Sequence, residues 1–465
     1  MTIRSTTTGR QPRAACSCVA RRQRYGAERR CGAARRVWIP RLAALAVLIA
    51  HMCFKAAAAH AVPLDQLIPG LFGGTLITTI QKSVADPRLA ESQRLRFASQ
   101  FNSLSAELAT AHSQAPVPSA SGAFRFAWDP ELDTFVRSTQ SLGDSVAERA
   151  TTLGKYTGTF NVTYTHIHFD TMEGSSLSNL MFSQSAFSPA FVSQLTPLDQ
   201  VRFGNNLIQS QLNMGLSFDT IFLTGAFGIT DSIDVSMALS LSQAHMHATV
   251  TSNLIQNPAA KVQFPPGFFL EENNRLVAKS GTLCGFDPQQ PNKPISARCA
   301  TDGFDQTAFG TGDLFLRSKW HLYNTEYADL AVEGVLTIPT GNADNFLGFN
   351  DPTFTPLLIA SKDFGRVSPH LNIGYAFRSG ADVSQAECIA GADVRTTKWL
   401  TLAADFLGYF DDKRDGINDN VLQSAVGFRV NPFGKFVAGG TFQFPLNRDG
   451  IRADVIYSGE IEYTF

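Results

Sequence analysis

Beyond residue 61 the chain holds no apolar run approaching the ~20 residues that a membrane-spanning helix needs, which argues against a helical membrane protein. Cysteine is scarce there too. Four of the seven (Cys16, Cys18, Cys31, Cys53) fall in the first 61 residues, leaving Cys284, Cys299 and Cys388. Positive charge is the third shortage. Residues 1–61 take twelve basic side chains and a single acid, Glu28, so the remainder carries 27 basic against 39 acidic residues, a net charge near −12. With no electropositive footprint left, nucleic acid is not an expected partner. A G-x-x-x-x-G-K phosphate cradle is absent. The stretch "PTGNADNFLGFNDP" offers oxygen donors in Asp344, Asn345, Asn350 and Asp351 but lacks EF-hand spacing and reads as a loop. No cofactor is expected.

What the first 61 residues do contain is a basic lead, the apolar run "LAALAVLIAHMCF" (Leu42 to Phe54), and "KAAAAHA", which presents Ala59-His60-Ala61 as an A-x-A cleavage site. Those are the three parts of a secretory signal peptide. A retained anchor is the alternative, and the unusual length of the basic lead suggests a true start nearer Val37. Export to an oxidising compartment would suit a Cys284–Cys299 disulfide within one long polar loop, the alternative being three inert thiols.

Residues 62–154 read as an N-terminal periplasmic or plug segment. A helix is predicted near 86–112: Asp86 can cap it, Pro87 suits its first turn, and Phe97, Phe101, Leu104 and Leu108 recur at helical spacing. A small hairpin is predicted around Asp129-Pro130.

From Lys155 the periodicity changes to two. In "KYTGTFNVTYTHIHFD", Tyr156, Phe160, Val162 and Tyr164 alternate with polar residues, and "IDVSMALSLS" repeats the pattern. Strands are predicted from Lys155, over 206–228, from 233, and near 312–323, 328–339, 353–362, 367–379, 382–395, 399–410, 420–430, 435–446 and 451–465. That makes twelve, with fourteen as the alternative count. Short joins (229–232, 324–327, 363–366, 396–398, 431–434) alternate with a set that includes the long ones (170–205, 250–311, 340–352). This asymmetry is expected of an all-β, antiparallel transmembrane β-barrel, residues 155–465, with tight periplasmic turns and larger external loops. Hydrocarbon leaves no unpaired backbone group unpunished, so the first and last strands must meet. Aromatics toward strand ends (Tyr156, Tyr164, Trp320, Trp399, Tyr463, Phe465) suit interfacial girdles.

The chain ends on "SGEIEYTF", with Val455, Tyr457, Gly459, Ile461, Tyr463 and Phe465 on one face. In bacteria such a strand, ending in Phe, resembles the signal read by the outer-membrane barrel assembly machinery. Tyr457, Ile461, Tyr463 and Phe465 would carry it.

Few residues suggest chemistry. Arg317, Lys319 and His321 share the inward face of one predicted strand, with Glu333, Asp405, Arg429, Glu460 and Glu462 on others. They form either a charged constriction that selects permeants or pairs that neutralise one another in a polar lumen. Ser368, His370 and Asn372 invite a hydrolase reading, but alternate strand residues stand ~7 Å apart, beyond nucleophile–base contact. His166, His168, His245 and His247 form two H-x-H pairs. An intervening strand separates them by ~10 Å, so interfacial histidines are the favoured reading over a metal site. Catalytic residues are not expected.

Phe309 to Gly380 resembles the outer-membrane family labelled for the MetA pathway of phenol degradation. The matching pieces are Gly310-Thr311-Gly312-Asp313, Ile338-Pro339-Thr340-Gly341, Pro369-His370-Leu371-Asn372 and Gly374-Tyr375, with "TFVRSTQSLGDSVAERATTLGK" and "TGAFGITDSIDV" upstream. The resemblance implies an outer-membrane, transporter-like pore for small hydrophobic or aromatic compounds, surrounded by lipid and lipopolysaccharide, and assigns no site residue. The competing expectation is a structural or surface-interaction protein acting through loops 170–205 and 250–311.

Overall fold

A computed structural model describes residues 62–71, 117–185 and 207–465, together with 193–194, 197 and 200. It leaves gaps at 125, 130–133, 138–140, 144–145, 256–267, 273–274, 280–285, 288–289, 295–298, 380–383 and 413–419. The signal-peptide region 1–61, the helix expected near 86–112 and Cys284 of the expected disulfide lie outside the described residues. Cys388 is a free thiol, half-buried.

Twelve strands close on themselves: β1 (Gly158–Phe169), β2 (Leu207–Gly228), β3 (Ile233–Ile255), β4 (Cys299–Asn324), β5 (Asp329–Ile338), β6 (Thr353–Ser361), β7 (Val367–Arg378), β8 (Gln385–Arg395), β9 (Leu400–Asp411), β10 (Asn420–Phe433), β11 (Phe436–Pro445) and β12 (Ile456–Thr464). Each pairs antiparallel with its neighbours in the chain, and β12 returns to β1 with Thr464 opposite Thr159. At the seam the Gly158 N–H donates to the Phe465 carbonyl at 3.1 Å and the Phe465 N–H to the Gly158 carbonyl at 2.8 Å. The terminal phenylalanine therefore completes the ladder that lipid requires. Tight turns such as Ile229 to Ser232 mark one end, the turn end, and the long connections mark the other, the loop end.

Three strands depart from their predicted lengths. β3 continues to Ile255 and β4 starts at Cys299 rather than near 312, with Cys299 opposite Asn253, so both ends of the expected 250–311 loop are wall. The predicted strand 451–465 is broken instead: Ile451–Arg452 pairs with Thr171–Met172 above the barrel, and the barrel strand begins at Ile456.

The side-chain pattern says where the wall leaves the membrane. Toward the turn end, outward positions are apolar (Phe160, Val162, Ile221, Phe227, Met237) and inward ones polar (Thr159, Asn161, Thr163, Thr224, Ser236, Ser240). Beyond His166, Asp219 and Gln243 the alternation keeps its register but the polarity of the two faces inverts. Inward positions become Ile167, Phe169, Leu212, Met214, Leu216, Phe218, Ala244, Met246, Ala248 and Val250, all buried, while Gln211, Asn213, His168 and His247 face out. Opposite partners across three strands mark the switch at one height, His166 beside Asp219 and Asp219 beside Gln243. Eight residues separate it from Gly158, ~26 Å along a strand and ~20 Å of height at ~40° tilt, close to the ~25 Å apolar band of outer-membrane barrels. A tryptophan placed at 221 is expected to be strongly quenched by brominated acyl chains and one at 217 hardly at all; equal quenching would remove this boundary.

Above the switch the wall encloses a hydrophobic core. The helix over 64–71 inserts Leu64, Ile68 and Leu71, which meet Ile167, Phe169, Leu216, Phe218, Met246, Phe346, Leu347 and Ile451. Their helical spacing of four and three puts them on one face. Burial of this kind stabilises by ~25 cal/mol per Å² of apolar surface, and here it seals the loop end of the barrel on the β1–β4 side.

Candidate functional site in the lumen

Below that apolar cap, residues 117–154 run inside the barrel. The hairpin expected around Asp129 is present, Phe126–Asp129 against Thr134–Arg137. Most of the rest has no regular structure, so its backbone groups must find partners elsewhere. The wall supplies them. Ala123 N–H donates to Glu462 (2.8 Å), Leu142 N–H to Thr401 (3.1 Å), Ala150 N–H to Ser361 (3.0 Å) and Leu153 N–H to Asp234 (2.8 Å). Gly122 permits a close approach, since a Cβ there would stand 2.5 Å from Leu153 Cδ2 and 2.8 Å from Thr159 Cγ2.

Glu148 and Arg149 anchor the segment to different strands, β4 and β8. Glu148 accepts from Arg317 Nη1 and Lys319 Nζ, each at 3.1 Å, and from Ser121 Oγ at 2.5 Å and Ala120 N–H at 2.6 Å. Its own backbone exchanges two 2.8 Å hydrogen bonds with the Asn372 amide. Arg149 pairs with Asp393. Burial alone would raise the Glu148 carboxyl, but Lys319 and Arg317, with the Ser121 and Ala120 donors, outweigh it and hold the group down at about 2.

The eight residues predicted to line the lumen all face inward, and they separate into groups. Arg317 and Lys319 share Glu148, with Arg317 Nη1 also donating to the Pro118 carbonyl at 2.9 Å. His321 Nδ1 lies 3.0 Å from the Ala150 carbonyl. Arg429 pairs with Glu460, stands 3.4 Å from Glu462, and donates to the Leu142 carbonyl at 2.9 Å. Asp405 meets His370 Nε2 at 2.6 Å. Apart from Glu333, these wall residues meet one another, His370 or residues 117–154. Ser368, His370 and Asn372 do not converge: His370 turns to Asp405 and Asn372 to Glu148. His245 and His247 sit with ring centroids 5.8 Å apart, while His166 holds Asp219 at 2.8 Å and His245 holds Asp305 at 2.8 Å. Among the described residues no group of three or more metal-ligating side chains gathers.

Between the apolar cap and the Glu148 anchor lies a cavity of about 210 Å³. Phe222, Phe315, Phe349, Leu357, Ile389 and Tyr409 give it apolar walls, and Glu148, Asp313, Glu333, Glu387, Arg317 and Arg378 its charges. Sequence reasoning found Glu333 and Arg317 but missed Glu148, Arg149, Glu387 and the aromatic walls. The signal for the first two was an adjacent acid and base, "ERA", in the polar stretch just before the first strand, opposite in sign to Arg317 and Asp393.

No protein-family model and no curated protein matches the chain, so the MetA-pathway label gains no support. Among solved structures the chain is similar to an outer membrane channel from Pseudomonas putida F1, at 12% identity over 68% of this chain and 98% of that one, with a TM-score of 0.40. It is also similar to a Pseudomonas aeruginosa FadL homologue (10% identity, 67% and 90% covered, TM-score 0.30) and to the CymD monoaromatic hydrocarbon channel (8%, 67% and 89%, TM-score 0.31). These neighbours are outer-membrane barrels, and at such identities the likeness is one of fold.

Proposed function

We propose that the protein is an outer-membrane channel for the passive passage of small, in part apolar or aromatic, molecules, with residues 117–154 as its constriction. The observation that carries this reading is the cavity itself: a lumen pocket with aromatic walls, inside a closed wall that is apolar toward lipid. The loop end is then external and the turn end periplasmic. Residues 1–61 would direct export, and lipid and lipopolysaccharide would surround β1–β12. The exposed Tyr457, Ile461, Tyr463 and Phe465 would be read by the barrel assembly machinery. That His370 and Asn372 are spent on Asp405 and Glu148 supports a protein that is not an enzyme. Proteoliposomes containing the purified full chain are expected to swell in small solutes such as glycine or benzyl alcohol and not in a trisaccharide. Silence toward every solute, in the native protein and in Glu148→Gln alike, would sink the reading.

A second reading has its own support in the tall β2–β3–β4 wall, whose polar outer face rises past the membrane switch. As a surface-interaction element it would lose adhesion on deletion of 256–298, while swelling continued.

A further inference from the structure

We propose that the lumen cavity is a binding site for a small organic cation, an ammonium group on an aromatic or apolar body. This names the substrate class of the channel and rests on that reading for its biological sense. Six charged side chains line the cavity: the carboxylates of Glu148, Asp313, Glu333 and Glu387, and the guanidinium groups of Arg317 and Arg378. Most are already engaged. Glu148 takes Arg317 and, one layer nearer the turn end, Lys319. Asp313 accepts from the backbone N–H groups of Gly341 (3.0 Å) and Phe349 (2.8 Å). Arg378 lies over the Phe349 ring, 5.1 Å from its centroid.

Glu333 and Glu387 are different. Among the described residues neither accepts a hydrogen bond, and Glu333, only 3% exposed, leaves its Oε2 buried and unpartnered at the cavity wall. A carboxylate taken out of water without a donor is costly, and a positively charged donor relieves most of that cost. Gly374, directly across from Glu387 on β7, leaves the room that the Glu387 side chain occupies: a Cβ there would stand 2.8 Å from Glu387 Oε1. The remaining surface is aromatic and aliphatic. Phe222, Phe315, Phe349 and Tyr409 line it together with Leu357 and Ile389, a setting for a cation's apolar body. At about 210 Å³ the space is below the ~300 Å³ at which pockets for drug-sized ligands begin, so the occupant is a single ring and its ammonium arm.

The test uses three probes of one shape, benzylammonium, benzyl alcohol and benzoate, titrated calorimetrically into the full chain purified in detergent. Binding is read without transport, so its failure leaves the swelling result standing, and a failure to swell leaves this result standing. Benzylammonium is expected to bind about tenfold tighter than benzyl alcohol, the scale of one charge-assisted hydrogen bond, and benzoate not at all. Glu387→Gln and Glu333→Gln should each remove most of that preference, and Gly374→Ala should weaken it with the charge count unchanged. Heat-modifiable mobility checks that each variant is a folded barrel. Benzoate binding as tightly as benzylammonium, no binding of benzylammonium, or an unchanged preference in all three folded variants would each overturn the proposal.

Discussion

Glu148→Gln is expected to raise the swelling rate of proteoliposomes several-fold. The native carboxylate gathers four donors, two of them cations from β4, and it is the point at which residues 117–154 are tied to that wall. Removing one member of a buried ion-paired set leaves the others uncompensated, at a cost of about 3 kcal/mol. Arg149 with Asp393 is a second ion pair on the segment, while ties such as Ala123 to Glu462 are single hydrogen bonds of ~1 kcal/mol each. Losing the Glu148 anchor should therefore loosen residues 120–121 and 148 from β4 first, where that carboxylate ties them together. The same anchor predicts a pH dependence with a definite sign. The carboxyl ordinarily titrates at 4.5 and is held at about 2 when docked, so its contribution is complete above about 4.5 and lost as pH falls toward 2. Swelling by the native protein should rise as pH is lowered through that window, and Glu148→Gln should swell fast at neutral pH with the acid response flattened. Identical rates for native and variant protein at both pH values would show that the segment is not the constriction.

The barrel was legible because its signal is repeated twelve times. Period two in "TGTFNVTYTHIHF" or "IDVSMALSLS" fixes which face meets lipid, and the alternation of short and long joins fixes the pairing order. Where the reading fell short, the pattern itself had changed. Residues 299–311, "CATDGFDQTAFGT", are wall, but all up to Ala308 lie above the membrane switch, where an apolar outer face is no longer required and period-two contrast is weak. The helix over 64–71 carries Pro69 and Gly70, which read as breakers. Only Leu64, Ile68 and Leu71 betray it, by a stripe two turns long. The contacts of residues 117–154 were not legible for another reason. An irregular segment is held by partners distant in sequence, Glu148 to Arg317 or Ala123 to Glu462, and no local period encodes such pairs. The lumen charges were found as inward positions; their division between wall and inner segment was not, because Asn372 and Asp393 look the same in sequence whether they meet water or a plug.

Deleting Phe465 should nearly abolish assembly of the protein in cells while changing refolding into detergent only slightly. The ring lies against Gly158, where a Cβ would stand 2.4 Å from Phe465 Cε2, and against Tyr463 with ring centroids 6.4 Å apart; it is 59% exposed. Its backbone closes the last two hydrogen bonds of the seam. Those two bonds are worth ~1–3 kcal/mol together, a modest part of a barrel held by twelve ladders, so the isolated chain should still close in micelles. An assembly machine that grips the outward face of the final strand would lose its terminal contact altogether. The two arms therefore separate the seam from the signal. A heat-modifiable band that disappears in cells but persists on refolding in vitro assigns Phe465 to recognition. Loss of both assigns it to closure, and Gly158→Leu, which crowds the ring while leaving the terminal residue in place, should then fail in the same way.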